Sequence, residues 1–117
     1  MSHGHPLPHD AAHLHVTGAA RYVDDLPCPA NCLHLAFGLS SIASGQITDL
    51  GLDQVRGHEG VIAVLTAEDL PFSNDVSPAA GDEPLLSEGP VHYSGQPIFL
   101  VIATSHLSAR KAARLAK

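Results

Sequence analysis

The sequence predicts an α+β fold in which a mixed sheet carries a C-terminal helix packed against it. The longest unbroken apolar run, residues 98–103, is short, rich in β-branched and aromatic side chains, and flanked by turn residues. This pattern is typical of a strand buried on both faces. Residues 33–39 alternate in polarity with a period of two, as a second strand does. Alanines recur at helical spacing within residues 106–117, which indicates a helix lying close on the sheet.

Length and composition allow one domain with an aliphatic core. The chain has 117 residues, of which 44% are hydrophobic, but it contains only three Phe, two Tyr and no Trp. A core of Leu, Ile, Val and Ala is therefore expected, and a chain of this size buries roughly two-thirds of its unfolded surface.

Charge is distributed unevenly along the chain, which argues against nucleic acid as a partner. The formal net charge is −6, and the twelve acidic residues all precede a cluster of four cations at the C-terminus. Phosphate binding needs a broad basic surface, so we interpret this cluster as one solvated helix face. Its members are Arg110, Lys111, Arg114 and Lys117.

The sequence predicts neither a membrane span nor export. It has no run of about 18 apolar residues, which a spanning helix requires. Its N-terminus lacks the basic start and apolar stretch of a secretory signal. Two cysteines without such a signal indicate free thiols in a reducing compartment, so we expect a cytoplasmic protein.

Residues 1–15 form a histidine-rich leader, which we expect to be flexible, ahead of a domain at residues 16–117. A metal-binding tail is one interpretation, because imidazole is a common ligand of zinc, nickel and copper. A leader without bound metal is favoured, because no cysteine or carboxylate cluster completes a site at the usual spacings. The histidines concerned are His3, His5, His9, His13 and His15.

Two short motifs follow the leader, and both are interpreted as structural. Asp24 and Asp25 could bind a hard cation, but adjacent carboxylates without further oxygen ligands more often cap a turn or pair with Arg21. Cys28 and Cys32 form a CxxxC pattern without a second pair. That pattern fits neither a redox motif nor a four-ligand zinc site, so both are expected to be loop cysteines.

The middle of the chain predicts three strands. Residues 33–39 place their large apolar side chains on one face and His34 on the less apolar face, where a solvated or backbone-bonded imidazole is expected. Residues 46–50 would return antiparallel to them, and residues 61–65 form a buried strand.

Short helical turns and a long loop separate these strands from the apolar run. Asp53 can cap a single turn, and the spacing of Thr66 and Asp69 is a capping pattern that begins a short helix before Pro71. Residues 72–89 are acidic and rich in Pro and Gly. Loops above about 12 residues usually serve as lids or contact surfaces, or are disordered.

The C-terminal helix is expected to begin after Ser105, a good N-cap, and to run through residue 117. No Gly or Pro terminator follows the pattern, which predicts a domain truncated within this helix. A narrow stripe of small residues would face the sheet, formed by Ala109, Ala112, Ala113 and Ala116.

The sequence offers no recognisable active site. GxSxG, a phosphate-binding loop, HExxH and an EF-hand loop are all absent. Gln96 could polarise a ligand, but a turn residue bonded to neighbouring backbone is the favoured interpretation. His92 and Tyr93 could act as an acid–base pair only with a carboxylate to orient them, and none is nearby in the sequence. We therefore assign no catalytic, cofactor-binding or metal-binding residue.

Four phrases together resemble a known family. They are VTGAARYVDDLP, LHLAFGLSSIASGQI, GVIAVLTAEDLPFSND and VHYSGQPIFLVIATSHLSARKAA. In this order they resemble the opening of the molybdenum-binding subunit of bacterial xanthine dehydrogenase, and more broadly the aldehyde oxidase and xanthine dehydrogenase family. The resembling region, about residues 9–117, is called the α/β hammerhead domain in that family. The CPANC segment is similar to the bacterial branch in particular.

This resemblance implies an enzyme that hydroxylates xanthine or hypoxanthine with a water-derived oxygen at a molybdopterin-bound molybdenum. Electrons would then pass through iron–sulfur clusters and FAD. The implied partners are the remaining molybdenum-binding domains of the same subunit and an iron–sulfur/FAD subunit. The family's catalytic and pterin-binding residues lie downstream of the hammerhead domain, so none maps onto this sequence. A start at Met1 fits a separate molybdenum subunit.

Three hypotheses follow. The first is a structural and assembly domain of a molybdenum hydroxylase, inert alone, whose turn at residues 95–97 and loop at residues 72–89 face other domains. The second is a free-standing metal-binding module that uses the leader histidines. The third, an independent hydrolase, is disfavoured because no nucleophile–base pair is found.

Overall fold

The computed structural model describes residue 4 and residues 7–79 and 81–116. It divides into two units, Met1–Ala30 and Asn31–Lys117, and each is described by itself. Two leader histidines, His3 and His5, and the last cation, Lys117, lie outside the described residues.

The first unit contains a short helix, α1 (Ala12–Thr17), and a 3-10 helix at Val23–Asp25. Gly18 ends α1 in a left-handed conformation with φ 73°, and its N–H donates to the His15 carbonyl. The predicted division between a leader and a domain, after residue 15, falls inside α1.

Within the described residues, the second unit combines helices with strands, and the α+β fold class is confirmed. The strands are β1 (His34–Leu39), β2 (Gly45–Gln46), β3 (Val61–Leu65), β4 (Pro90–Val91) and β5 (Pro97–Ala103). The helices are α2 (Asp53–Arg56) and α3 (His106–Ala112), and a 3-10 helix spans Ala67–Asp69.

The three longer strands form one sheet in the order β1-β5-β3. β5 lies at its centre because it is the longest of them and apolar throughout, so that each of its edges can carry a neighbour. β2 and β4 form a separate two-stranded ladder. The pairings of the described strands are all antiparallel, where a mixed sheet was predicted.

The predicted return strand at residues 46–50 is wrong. β2 covers only Gly45–Gln46 and pairs with β4 rather than β1. Ser40 turns the chain out of the sheet directly after β1, since its hydroxyl donates to the Ile42 carbonyl at 2.9 Å and accepts from the Ile42 N–H at 3.1 Å. This local turn competes with hairpin formation.

One face of the sheet, the inner face, packs against α2 and α3. Residues that pair across antiparallel strands share a face, so the register places three rows there: His34, Ala103 and Val61; Ala36, Val101 and Val64; and Gly38 with Phe99. The core cluster joins this face to both helices and consists of Leu52, Val55, Val64, Phe99, Val101 and Ala112.

Phe99 fills the middle of this core and requires a glycine on the neighbouring strand. The Phe99 side chain is 2% exposed, and a Cβ built on Gly38 would lie 2.1 Å from two of its ring carbons. No real side chain tolerates such an approach, so Gly38 leaves the space that the ring occupies.

The opposite face, the outer face, is apolar, and no described helix packs over it as α2 and α3 pack over the inner face. Its two rows follow from the same register and are Leu35, Ile102 and Ala63, and Phe37, Leu100 and Leu65. Leu35 is 56% exposed and Phe37 44%, and the other four are half-buried. β1 thus turns its less apolar face to the core, and β5, predicted to be buried on both faces, is fully buried only on the inner one.

α3 begins as predicted and ends earlier. The Ser105 hydroxyl accepts a hydrogen bond from the Ser108 N–H at 3.1 Å, which confirms the N-cap. The helix ends at Ala112, because the next N–H groups donate three residues back, from Arg114 to Lys111 and from Leu115 to Ala112. Of the predicted alanine stripe, Ala109 and Ala112 are fully buried, while Ala113 and Ala116 pack partly buried against the core.

Two aspartates cap the 3-10 helices. Asp25 accepts from the Tyr22 N–H at 2.9 Å, as the turn interpretation of this acidic pair predicts. Asp69 accepts from both the N–H and the hydroxyl of Thr66, each at 2.8 Å, and these bonds hold the pKa of the Asp69 carboxyl below its ordinary value. Asp53 differs: it is the first residue of α2, and its side chain is not the cap.

A single side chain holds the ends of the acidic loop together. The Asn74 carbonyl oxygen accepts from the Leu86 N–H at 2.9 Å, and its amide nitrogen donates to the Leu86 carbonyl at 2.7 Å and to a Glu88 carboxylate oxygen at 3.0 Å. Leu86 is fully buried. The Asn74 amide and the buried Leu86 side chain therefore join two positions of the loop that are twelve residues apart in the sequence.

We expect Gly38→Ala to lower the free energy of unfolding by about 1–3 kcal/mol, because the added methyl group overlaps the Phe99 ring. In a Phe99→Leu background the same substitution should cost less, since the ring is gone. Chemical denaturation of the four proteins in this double-mutant cycle measures the coupling. If the two substitutions changed the free energy of unfolding by strictly additive amounts, the close contact between Gly38 and the Phe99 ring would be contradicted.

Asp69→Asn should lower the melting temperature at neutral pH. The melting temperature of this variant should also fall less steeply with decreasing pH than that of the unsubstituted chain. The folded-state pKa of Asp69 is depressed, so its contribution is fully present above the unfolded-state pKa of about 3.9 and is lost as pH falls through the lower folded-state value. Melting curves from pH 6 to pH 2 test this, with the adjacent Glu68→Gln as control. If the melting temperatures of Asp69→Asn and Glu68→Gln fell equally steeply with decreasing pH, the role of Asp69 would be refuted.

Candidate functional site

The described leader histidines do not form a metal site. The rings of His9 and His15 lie 5.6 Å apart between centroids, and the Tyr22 hydroxyl is 3.2 Å from His15 Nδ1. Among the described residues, no group of three or more His, Cys, Asp or Glu side chains is placed to hold a metal ion. The structure therefore lends no support to the hypothesis of a metal-binding module.

The two cysteines are free and exposed, in loops, as the sequence predicts. Cys28 belongs to the first unit and Cys32 to the second. The Cys32 thiol lies 3.6 Å from the Leu33 carbonyl, to which it donates a weak hydrogen bond. Neither thiol has a histidine among its hydrogen-bond partners in the described part of the chain.

Buried Gln96 holds the turn that leads into β5. Its side-chain carbonyl accepts from the His92 N–H at 2.7 Å, and its backbone carbonyl accepts from the Ser40 N–H at 2.9 Å. The Gly95 N–H donates to the Ser40 carbonyl at 2.8 Å, with Gly95 at φ 89°. Gln96 thus bonds to backbone, which is the interpretation favoured from the sequence.

His92 and Tyr93 lie on the same turn with exposed side chains. Among the hydrogen bonds of the described residues, none joins a carboxylate to the His92 ring. General acid–base catalysis needs an oriented imidazole, and these hydrogen bonds do not orient the His92 ring. His34 is half-buried on the inner face, where its ring meets that of His106 with centroids 6.3 Å apart.

The acidic loop encloses an open depression of about 330 Å³ near its carboxylates. Asp75 accepts from the Ser77 N–H at 2.9 Å, which lowers the pKa of the Asp75 carboxyl, and Glu88 accepts from the Asn74 amide. These acids therefore bond to the loop itself. Sequence analysis did not single out Asn74, and an asparagine among other turn formers gives no signal of a bond to a residue twelve positions away.

A larger open groove of about 700 Å³ runs between the end of β1, residues 40–50 and α3. Its walls are mostly apolar, with exposed Arg110 and Arg114 contributed by the C-terminal segment. Its one carboxylate, Asp49, accepts a hydrogen bond from the Leu50 N–H at 2.9 Å, and no histidine lines the groove. The groove therefore lacks a nucleophile paired with a base.

The chain lacks the four cysteines that most iron–sulfur clusters use as ligands. Such clusters are held by about four ligands, usually cysteine thiolates, and the whole sequence has two cysteines, both exposed. Among the described helices, none is long and apolar enough to cross a membrane. Four polar side chains among the described residues, those of Asp69, Asn74, Gln96 and Ser105, accept hydrogen bonds from backbone N–H groups of the domain itself.

Comparison with proteins of known function identifies relatives over nearly the whole chain. Xanthine dehydrogenase 1 of Arabidopsis thaliana is 36% identical over 105 residues, which are 90% of this chain and 8% of that protein. Aldehyde oxidase 4 of Mus musculus is 36% identical over 114 residues, 97% of this chain and 8% of that protein. The chain thus spans less than a tenth of the length of these relatives.

Solved structures agree with the sequence relatives. The aldehyde oxidoreductase of Desulfovibrio desulfuricans superposes with a TM-score of 0.84 at 29% identity, over 95% of this chain and 14% of that one. The CO dehydrogenase of Oligotropha carboxidovorans superposes with a TM-score of 0.82 at 28% identity, over 95% of this chain and 14% of that one. The antiparallel β1-β5-β3 sheet with its helices is therefore a domain that also occurs inside larger oxidoreductases.

A family model described as "Aldehyde oxidase and xanthine dehydrogenase, a/b hammerhead domain" matches residues 17–117. This match confirms the resemblance found in the four phrases of the sequence. The chain belongs to the aldehyde oxidase and xanthine dehydrogenase family, a family of molybdenum hydroxylases, and carries its α/β hammerhead domain.

Proposed function

We propose that the chain is the structural and assembly domain of a bacterial xanthine dehydrogenase and performs no catalysis by itself. One observation carries this proposal. The match covers 90–97% of the chain but only 8–9% of the relatives, so most of each relative lies outside the matching part. The described residues support it further, since they bring together no metal ligand set, and no histidine lines the open groove beside α3.

In this proposal the redox groups belong to other parts of the enzyme. The family's parent enzymes use molybdopterin-bound molybdenum, iron–sulfur clusters and FAD. With two cysteines, both exposed, the chain does not supply an all-cysteine set of four cluster ligands, and the described residues offer no metal ligand set. The partners are then the remaining molybdenum-binding domains of the same subunit and an iron–sulfur/FAD subunit.

Xanthine or hypoxanthine is the proposed substrate of the parent enzyme. Overall sequence identity does not distinguish xanthine dehydrogenases from aldehyde oxidases. A plant xanthine dehydrogenase and a mouse aldehyde oxidase are both 36% identical to the chain. The preference for a purine, and for a bacterial enzyme, rests on the resemblance of the phrases, including CPANC at residues 28–32.

We also propose that residues 16–117 act as the hammerhead domain behind the leader at residues 1–15, in the cytoplasm. The family model begins at residue 17, which supports this division. Two free, exposed thiols support a reducing compartment, because exposed thiols persist where disulfides are kept reduced.

The purified 117-residue chain should contain no stoichiometric molybdenum and should not reduce NAD⁺ with xanthine, since it lacks the residues for that chemistry. Elemental analysis and absorbance at 340 nm measure the two quantities. The positive control is the native polypeptide that carries this sequence, isolated from its host with an antibody against the chain. That polypeptide should be much longer than 117 residues, contain molybdenum, and oxidise xanthine faster than benzaldehyde.

Each outcome decides a different part of the proposal. Turnover of xanthine by the chain alone would overturn its structural role. A native polypeptide no longer than the chain would overturn its role as one domain among several. A native enzyme that oxidises benzaldehyde faster than xanthine would move the parent enzyme to the aldehyde oxidase branch.

A further inference from the structure

The outer face of the sheet is a continuous apolar surface that spans all three strands. Its two rows, with Leu35 and Phe37 on β1, pair directly across β5 to β3 and contain no charged or polar side chain. The chain carries a formal charge of −6, yet none of that charge lies in these rows. Single exposed apolar residues are ordinary, whereas a contiguous patch marks a contact surface.

The sequence of β5 is that of a strand covered on both sides. Antiparallel sheets with one solvated face alternate apolar and polar residues, whereas fully covered strands are apolar throughout. In β5 the residues that face outward, Leu100 and Ile102, are as apolar as those that face the core. On the inner face the helices supply a cover, and on the outer face Leu35 is still 56% exposed.

We propose that the outer face is the surface on which another domain of the same long polypeptide docks, through an apolar and uncharged surface of its own. This inference rests on the proposed function. The length of the relatives supports it further. The matching part is only 8–9% of each relative, so the same polypeptide has other domains that could cover this face.

The area and the edges of the sheet favour this occupant over a second copy of the chain. The six side chains of the two rows expose on the order of 400 Å², about half of what each partner buries in a stable dimer. A tethered domain needs less area, because the linkage raises its effective concentration. Edge-to-edge pairing with a second copy is opposed by register shifts at Gly38/Leu39 on β1 and Val61/Ala63 on β3.

Cysteine accessibility tests this proposal in the protein as its host makes it. Cys28 and Cys32 are first replaced by serine, and Leu35→Cys or Phe37→Cys then places one thiol on the outer face. The matched control is Leu107→Cys, an apolar residue on α3 that is 63% exposed. Each variant is made in the 117-residue chain and in the native full-length polypeptide, and labelling with a maleimide is timed.

Both outer-face thiols should react at the rate of the control in the 117-residue chain. In the full-length polypeptide they should react at least about tenfold more slowly, because labelling then requires local opening of the docked face. The Leu107→Cys thiol should keep its rate. The molybdenum content of each full-length variant shows whether it has folded. If one of the two outer-face variants fails to fold, the other still gives a labelling rate for this face.

Equal labelling of outer-face and control thiols in a long, molybdenum-containing polypeptide would overturn the docking proposal and leave the proposed function standing. A native polypeptide no longer than the chain would instead overturn the proposed function. A dimer of the 117-residue chain at micromolar concentration that Leu35→Lys abolishes would assign the face to a second copy, and would also overturn the docking proposal.

Discussion

The contact between the Phe99 ring and the backbone of Gly38 is the constraint on which the rest of the structure depends. The ring is 2% exposed and occupies the space where any other residue at position 38 would place its Cβ. It fixes the register of β1 on β5, and Ala112 packs into the same core cluster from α3. A close-packed interior tolerates little change in volume at such a point, so strand order, helix position and core composition are specified together.

Four polar side chains of the described residues hold turns and helix ends of the domain itself. Asn74 anchors the acidic loop, Gln96 holds the turn before β5, Asp69 caps a 3-10 helix and Ser105 caps α3. Among the described residues, no buried side-chain nitrogen or oxygen lacks a hydrogen-bond partner. Catalytic groups usually show the reverse, with a buried titratable group aimed into a cavity.

The conspicuous periodic segments could be predicted from the sequence. The apolar run in β5, the alternation in β1, the buried β3 and the Ser105 cap follow from local patterns, and the structure has each of them. Partner choice was predicted wrongly, because the sequence pattern favoured a local hairpin with β1 while β2 pairs with β4 across more than forty residues of chain. The end of α3 was also missed, since alanine spacing continues beyond the last helical hydrogen bond. The orientation of β1 depends on Gly38, whose role is visible only when Phe99 lies opposite it.

The same limit applies to function. Residue types alone allowed a metal-binding leader, an acid–base pair and a ligand-polarising glutamine, although none of these was the favoured interpretation. The hydrogen bonds of the structure give Gln96 the backbone role that was favoured. Family membership came from four phrases in order, and its confirmation came from relatives far longer than the chain.

Amide hydrogen exchange of the 117-residue chain tests the central claim most directly, namely that β5 is the organising strand of the fold. The account predicts that the slowest amides lie in β5 at residues 99–103 and exchange only on global unfolding, while those of β2 and β4 exchange by local opening. Gly38→Ala should accelerate the β5 amides together. Slowest exchange in the β2-β4 ladder, or β5 amides that exchange as fast as the acidic loop, would contradict the account.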